Sequence, residues 1–457
     1  MIKNQRIWRK IILSSLILLS IILSALLFSA GGHLGEGVTD LTNIASNQPS
    51  PSVVERDLTK DVYRPVQTVL HTPSEHNTKY VVNDVNISNE IIRLVNEVQL
   101  REVNEKREMD HDQYQILLMD DEWLELVFQD EIPLGIYSHL FENLPKDYAE
   151  QTFDRIFMRM KSPTELYFYN YKQQMLYRVA IDKRPTDTMP SIEELDAQVY
   201  TAFGVALNNR WVYLPTDAHT VGRKSYMIER LSNSLYINQF FKDTSSVESR
   251  TSGHVTRYID LTKEVTINEE NQTLSFLSQQ ASNEEISLTQ RLRSSYDTLN
   301  RFENWQDDVI YQSYQADNNY VTYQRYIDGY PVFSNNQYES TVEIATIEVG
   351  LTHLRLPLRF IRTPISINED NERTLISGTE VIEKIQEAGY SLTENIQDIK
   401  IGLAWVQSSE NENVIFFEPK WFVKNQNRWL TLDQLLNPEE DNLSAAYTAK
   451  GGRSFGF

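Results

Sequence analysis

The sequence predicts an α+β chain: a single N-terminal transmembrane helix followed by a multidomain ectodomain of mixed helices and antiparallel sheets. Three observations lead to this class. Residues 11–30 carry no charge. Apolar residues at helical spacing recur behind N-capping residues, and between them stand short alternating segments that read as strands. Turn signals join several of these strands at hairpin distance.

The elements follow in chain order. Residues 1–10 hold Lys3, Arg6, Arg9 and Lys10, and no Asp or Glu occurs before Glu36. The twenty residues 11–30, rich in Ile and Leu, are long enough at about 1.5 Å per residue to span a hydrocarbon core of about 30 Å. With the cations on one side only, the first ten residues are expected in the cytoplasm and the bulk outside, in a single-pass arrangement in the cell membrane. A cleavable signal peptide is the rival. Its apolar region is usually about 7–15 residues long, and here Phe28 interrupts the small-x-small pattern ending at Ala30. Residues 31–60, with Gly31, Gly32, Gly35, Gly37, Pro49 and Pro51, read as a linker.

A first domain is expected over 61–190. Ile91, Leu94, Val95 and Val98 recur at helical spacing with Ser88 as N-cap, Ile116-Leu117-Leu118 and Leu124–Phe128 read as strands, and 165–181 reads as a hairpin. A second domain is expected over 191–287. There Ser191 and Glu194 form a capping box ahead of Leu195, Val199 and Ala202, and 265–267 and 274–277 flank a hairpin turn. A third, over 288–442, has a helix from Leu288, a strand 320–327 running into the turn Asp328-Gly329, and a strand 330–333. Its second helix starts at the capping box Ser377/Glu380 and stops at Gly389, and Trp405, Trp421 and Trp429 lie on later strands. Residues 443–457 read as a flexible tail.

Composition narrows the function. Hydrophobic residues make up 40% and aromatics 11% of 457, enough for packed cores. The net charge of -21 repels phosphate backbones, so no nucleic acid is expected as a partner. The lack of Cys removes disulfides, thiolate metal sites, cysteine nucleophiles and a lipid-modified N-terminal Cys, and fits a Gram-positive surface protein.

No motif supplies chemistry. The eight His include no His-Glu-x-x-His, and there is no Gly-x-Ser-x-Gly elbow, phosphate-binding Gly-rich loop or supported Ser-x-x-Lys. His71 and His76 beside Glu75 have Pro73 between them and read as a solvated loop. Asp110-His111-Asp112 reads as a polar turn, and Asp120-Asp121-Glu122, lacking a calcium-loop Gly and terminal Glu, as a charged edge. No catalytic residue, cofactor or metal is expected.

Several strings together resemble the YycH family of membrane-anchored extracytoplasmic regulators. Asp61-Val62-Tyr63-Arg64-Pro65-Val66 is similar to the family's opening strand. Phe240-Phe241-Lys242-Asp243, Ser246-Val247-Glu248 and Tyr258-Ile259-Asp260 are similar to its central segments, although Leu261 stands where the family has a glycine. Ile327–Phe333, Ser377-Gly378-Thr379-Glu380 and Glu418-Pro419-Lys420-Trp421 look like pieces shared with its companion YycI. The resemblance implies a non-enzymatic regulator of a WalK/YycG-type sensor histidine kinase that controls cell-wall metabolism. Its expected partners are that kinase, a YycI-like single-pass protein and the membrane. Ser20 and Ser24, four apart in the apolar run, are the candidate residues for helix contact, since small polar residues permit close approach and hydrogen bonds between membrane helices. The competing class is an anchored hydrolase or binding module for wall polymers, which needs exposed aromatics along a groove with paired carboxylates. A third is a secreted solute-binding protein with a mature N-terminus near residue 32.

Overall fold

The computed structural model describes residues 56–438, apart from 74–77, 162, 186, 188–189, 191, 196–198, 242, 280–284, 335–337, 349 and 366–371. The run 11–30, with Ser20 and Ser24, and the tail 443–457 lie outside the described residues. Among those described, no helix is long and apolar enough to cross a membrane.

Two large sheets carry the fold. The first contains β1 (Gln67–His71), β2 (Lys79–Val82), β3 (Gln99–Glu108), β4 (Trp123–Pro133), β5 (Thr152–Arg159), β6 (Glu165–Asn170), β7 (Met175–Lys183), β8 (Val199–Leu207) and β9 (Arg210–Pro215). Their order is β3-β7-β6-β5-β4-β1-β2-β8-β9, with every neighbouring pair antiparallel. A two-stranded ladder joins β10 (His219–Gly222) to a strand at Glu372–Leu375.

The second sheet begins with β11 (Lys224–Arg230), β12 (Glu248–Ser252), β13 (Val255–Asp260), β14 (Lys263–Asn268) and β15 (Thr273–Ser278). It continues with β16 (Val309–Gln315), β17 (Tyr320–Ile327), β18 (Tyr330–Phe333), β19 (Thr341–Ile347), β20 (Gly350–Pro357) and β21 (Arg359–Pro364). With the Glu372–Leu375 strand numbered β22, it ends with β23 (Ile396–Gln407), β24 (Val414–Asn425) and β25 (Arg428–Thr431). The path is β12-β13-β14-β15-β20-β19-β17-β18-β23-β24-β11-β21, with β16 on β17 and β25 on β24. β18 and β23 run parallel. The strands of 199–215 thus complete the first sheet, whereas those of 248–278, 309–364 and 396–431 share the second.

Local sequence explains most elements. Helix α1 (Val85–Asn96) turns Ile91, Ile92, Leu94 and Val95 inward, and its N-cap is Asp84, not Ser88. Asp84 wins because its carboxylate accepts from the backbone N–H groups of Asn86 and Ile87. Ile116-Leu117-Leu118, read as a strand, belongs to helix α2 (His111–Leu117) and its C-cap. The capping box of Asp110 and Gln113 starts that helix, and Tyr114 and Leu118, four apart, are the residues it buries. The helix read ahead of Val199 and Ala202 is a single turn, Ile192–Leu195, and both residues lie on β8, whose inward positions Ala202 and Leu207 pack against β9. Asp61–Val66 is not a strand either: Leu58–Val62 forms a π-helical turn capped by Asp57, and pairing with β4 starts at Val66.

In the C-terminal half, helix α3 (Asn233–Phe240) precedes β12, and α4 (Leu288–Phe302) begins at a capping box of Ser287 and Gln290 and buries Leu292, Ser295, Leu299 and Phe302. Asp328 and Gly329 take φ values of +48° and +80°, the left-handed pair that a two-residue hairpin turn requires. Helix α5 (Gly378–Glu387) starts where the Ser377 hydroxyl accepts from Glu380 N–H and is followed by Gly389 at φ +88°. A short helix α6 (Leu432–Leu436) covers β24 and β25. One apolar core runs from Val62 through Phe417 and takes side chains from both sheets.

Candidate functional site

The two sheets meet along a seam that encloses a cavity of about 130 Å³. The stretch 64–68 leading into β1, the end of β2 and start of α1, β8 and β9 supply one wall. The other consists of Asp308 and Ile310, Tyr326 on β17, the β17–β18 turn, and residues 398–401 of β23.

Two ion-pair groups stand in it. The Arg64 guanidinium reaches Asp308 Oδ2 at 3.3 Å and donates from Nη2 to Asn89 Oδ1 at 2.6 Å. Burial pushes the Asp308 carboxyl up, and Arg64 opposes the rise. On β23, Asp398 is 3% exposed and accepts from Lys400 Nζ at 3.0 Å and Gln129 Nε2 at 3.0 Å, while Arg210 Nε lies 3.6 Å away. Burial would raise Asp398, but Arg210, Lys400 and Gln129 outweigh it and hold the carboxyl at about 2. Desolvation also lowers the Lys400 ammonium, to about 8, although Asp398 resists it. Asp398 and Lys400 are two apart on one strand and therefore share a face. At the cavity's other end, His219 Nε2 and the Tyr330 hydroxyl are 3.1 Å apart, and burial depresses the imidazole.

A second buried network lies within the first sheet. Glu125 on β4 accepts from Arg155 Nη1 at 3.0 Å, His71 Nε2 at 2.8 Å, the Tyr213 hydroxyl at 2.6 Å and the Tyr114 hydroxyl. All five residues are at most 1% exposed. Burial would raise the Glu125 carboxyl, but the His71 hydrogen bond and the Arg155 charge hold it at about 2, so His71 donates to a carboxylate. Arg155 Nη2 continues to the Trp211 carbonyl at 2.5 Å and so ties β9 to β5. With every carboxylate oxygen taken by a donor and no opening to solvent, this cluster holds elements together.

The sequence-level candidates fare differently. His71 is not in a solvated loop: it closes β1 at full burial, because β1 pairs with both β2 and β4 and brings it to Glu125. His76 lies outside the described residues, as do Ser20 and Ser24. In Asp110-His111-Asp112, Asp110 caps α2, and His111 stacks on Tyr171 at 3.9 Å and donates to its carbonyl, so no nucleophile is served. Asp120, Asp121 and Glu122 pair with Arg159 and Lys161. Among the described residues no group of three or more His, Asp or Glu is arranged to hold a metal. Trp405 and Trp421 are 7% and 4% exposed and pack in the core, so neither lines an open groove. Sequence reasoning missed Arg64, Arg210, Asp308, Tyr326, Asp398 and Lys400. The one local signal was Ile-Gln-Asp-Ile-Lys-Ile at 396–401, where two charges occupy the same face of an otherwise apolar strand.

Relatives share this fold. The crystal structure of YycH from Bacillus subtilis superposes with a TM-score of 0.66 at 16% identity, covering 83% of this chain and 98% of that one. The Bacillus subtilis (strain 168) protein described as "Two-component system WalR/WalK regulatory protein YycH" is 20% identical over 317 residues, 66% of this chain and 68% of its own length. The N-terminal domain model of the YycH protein matches residues 7–195 and the C-terminal domain model matches 209–440, and the chain belongs to the YycH family.

Proposed function

We propose that this chain is a membrane-anchored, extracytoplasmic and non-catalytic regulator of a WalK-type sensor histidine kinase. The observation that carries the reading is the match to both YycH domain models. The name of the Bacillus subtilis relative supplies the two-component system concerned. The uncharged run 11–30 with cations only on its N-terminal side supports the anchor and its orientation. A lone helix biases a kinase only by contacting its two states differently, and Ser20 and Ser24 are our choice for those contacts with the kinase and with a YycI-like single-pass protein.

Photo-crosslinking in native membranes from a reactive amino acid at position 20 or 24 tests this directly. Capture of a sensor histidine kinase or a second single-pass protein is the expected result. Normal complex formation and regulation after the double substitution Ser20→Leu/Ser24→Leu overturns the helix contact. An unchanged level of phosphorylated response regulator after deletion of the whole chain overturns the regulatory role.

A further inference from the structure

The seam cavity is provisioned for a ligand in three respects. The first is a cluster of cations inside an acidic protein. Three cations, Arg64, Arg210 and Lys400, face two carboxylates, Asp308 and Asp398. The remaining carboxylates of the wall are engaged at its edge, Asp84 in capping α1 and Asp328 with Lys224 Nζ at 2.5 Å.

The second is a surplus of donors. Arg64 is 7% exposed, yet its Nε–H has no hydrogen-bond partner. Tyr326 is 2% exposed and lines the cavity, and its hydroxyl makes no hydrogen bond among the described residues. A buried donor such as the Arg64 Nε–H left without a partner is costly, and an acceptor supplied from outside offsets that cost.

The third is the complementary apolar side, formed by Val66, Val81, Val212, Ile310, Ile399 and Trp421. In volume the space is close to the roughly 150 Å³ of an apolar cavity that admits benzene.

We propose that the seam cavity binds a small amphiphilic carboxylate, with its anionic head among Arg64, Arg210 and Tyr326 and a body no larger than about one ring against the valine and isoleucine side. Such a ligand bridges the 64–88 wall and the 308–421 wall, and its binding stabilises the closed seam in proportion to its concentration over its dissociation constant. The site stands independently of the regulatory reading: either can fail while the other holds.

The test uses the full-length chain in lipid nanodiscs and fluorine NMR of 4-fluorobenzoate, with 4-fluorobenzylamine and 4-fluorobenzyl alcohol as cationic and neutral counterparts. Saturable binding of one carboxylate per chain is expected, at least tenfold tighter than either counterpart. Tyr326→Phe weakens it about two- to tenfold, the effect of one lost hydrogen bond. Val66→Phe, at a half-buried position on the cavity wall, blocks it. Absence of saturable carboxylate binding overturns the proposal, as does equal or tighter binding of the amine. Affinity unchanged in Tyr326→Phe also overturns it, and this variant decides alone if Val66→Phe does not fold.

Discussion

Replacing Glu125 with Gln removes the charge on which four buried side chains converge. In the folded protein Arg155 and the protonated faces of His71, Tyr114 and Tyr213 all point at this carboxylate. The amide keeps the shape, but it leaves the Arg155 guanidinium, 0% exposed, facing a neutral group, and one of its ends donates where an acceptor is needed. Removing one partner of a buried pair costs about 3–5 kcal/mol. Titration leads to a similar size: a carboxyl held at about 2 in the fold against an ordinary value of 4.5 contributes about 3 kcal/mol at 1.36 kcal/mol per pH unit. Because the folded value is depressed, that contribution is fully present above about pH 4.5 and is lost as the pH falls toward 2. Urea unfolding followed by tryptophan fluorescence reads the effect, since Trp123 packs beside the network and Trp211 supplies one of its carbonyls. With a slope of about 3 kcal/mol per molar, the midpoint at pH 7 falls by about 1 M or more. The gap between wild type and variant then narrows between pH 4.5 and 2.5. Glu122→Gln, whose partner Lys161 is 76% exposed, leaves the midpoint nearly unchanged and serves as control. A shift for Glu125→Gln below about 0.3 M at pH 7, or a gap that does not narrow with acid, refutes the assignment of this network as a structural anchor.

At the seam, Lys400→Met removes an ammonium that burial depresses to about 8 from 10.5. The unfolded chain holds a proton there that the folded chain has released, so wild-type stability rises relative to the variant by about 2–3 kcal/mol from pH 8 to 10.5, measured by urea midpoints at each pH. Gly402→Ala sets a Cβ 2.5 Å from the Phe333 ring and 2.9 Å from the Pro331 carbonyl, where β18 runs beside β23. It lowers stability by about 1–3 kcal/mol on thermal unfolding, and a wild-type melting temperature contradicts the close approach. Zymography of the purified chain on wall material gives no clearing, and a cleared zone favours the hydrolase class instead.

What the sequence revealed was local. The hairpin at 320–333 was legible because Asp-Gly is the pair that tolerates two positive φ angles, and α5 because Ser377 and Gly389 mark its two ends. Ile116-Leu117-Leu118 misled because three adjacent aliphatics fit either period, and only the Asp110 and Gln113 reciprocity upstream decides for a helix. Val199 and Ala202 misled in the opposite direction: three apart, they suited a helix, but pairing of β8 with both β2 and β9 overrides that spacing. The candidate site was almost wholly illegible, since Arg64 and Asp308, or Arg210 and Asp398, far apart in the sequence, meet only where the two sheets pack against each other, which no window of sequence contains.

The short segment before β1 carries a consequence for the order in which the molecule is made. Arg56 donates to the Trp305 carbonyl, and the Tyr63 hydroxyl meets Leu292, Ser295 and Tyr323. These early residues therefore wait for partners some 229 to 260 positions later in the chain. Until those arrive, the nine strands that end at Pro215 are all present, yet the Arg56 guanidinium and the Tyr63 hydroxyl can bond only to water. A nascent chain halted at that point holds a complete sheet without a closed core, and the last large helix to emerge before β16 acts as the latch for the first turn of backbone.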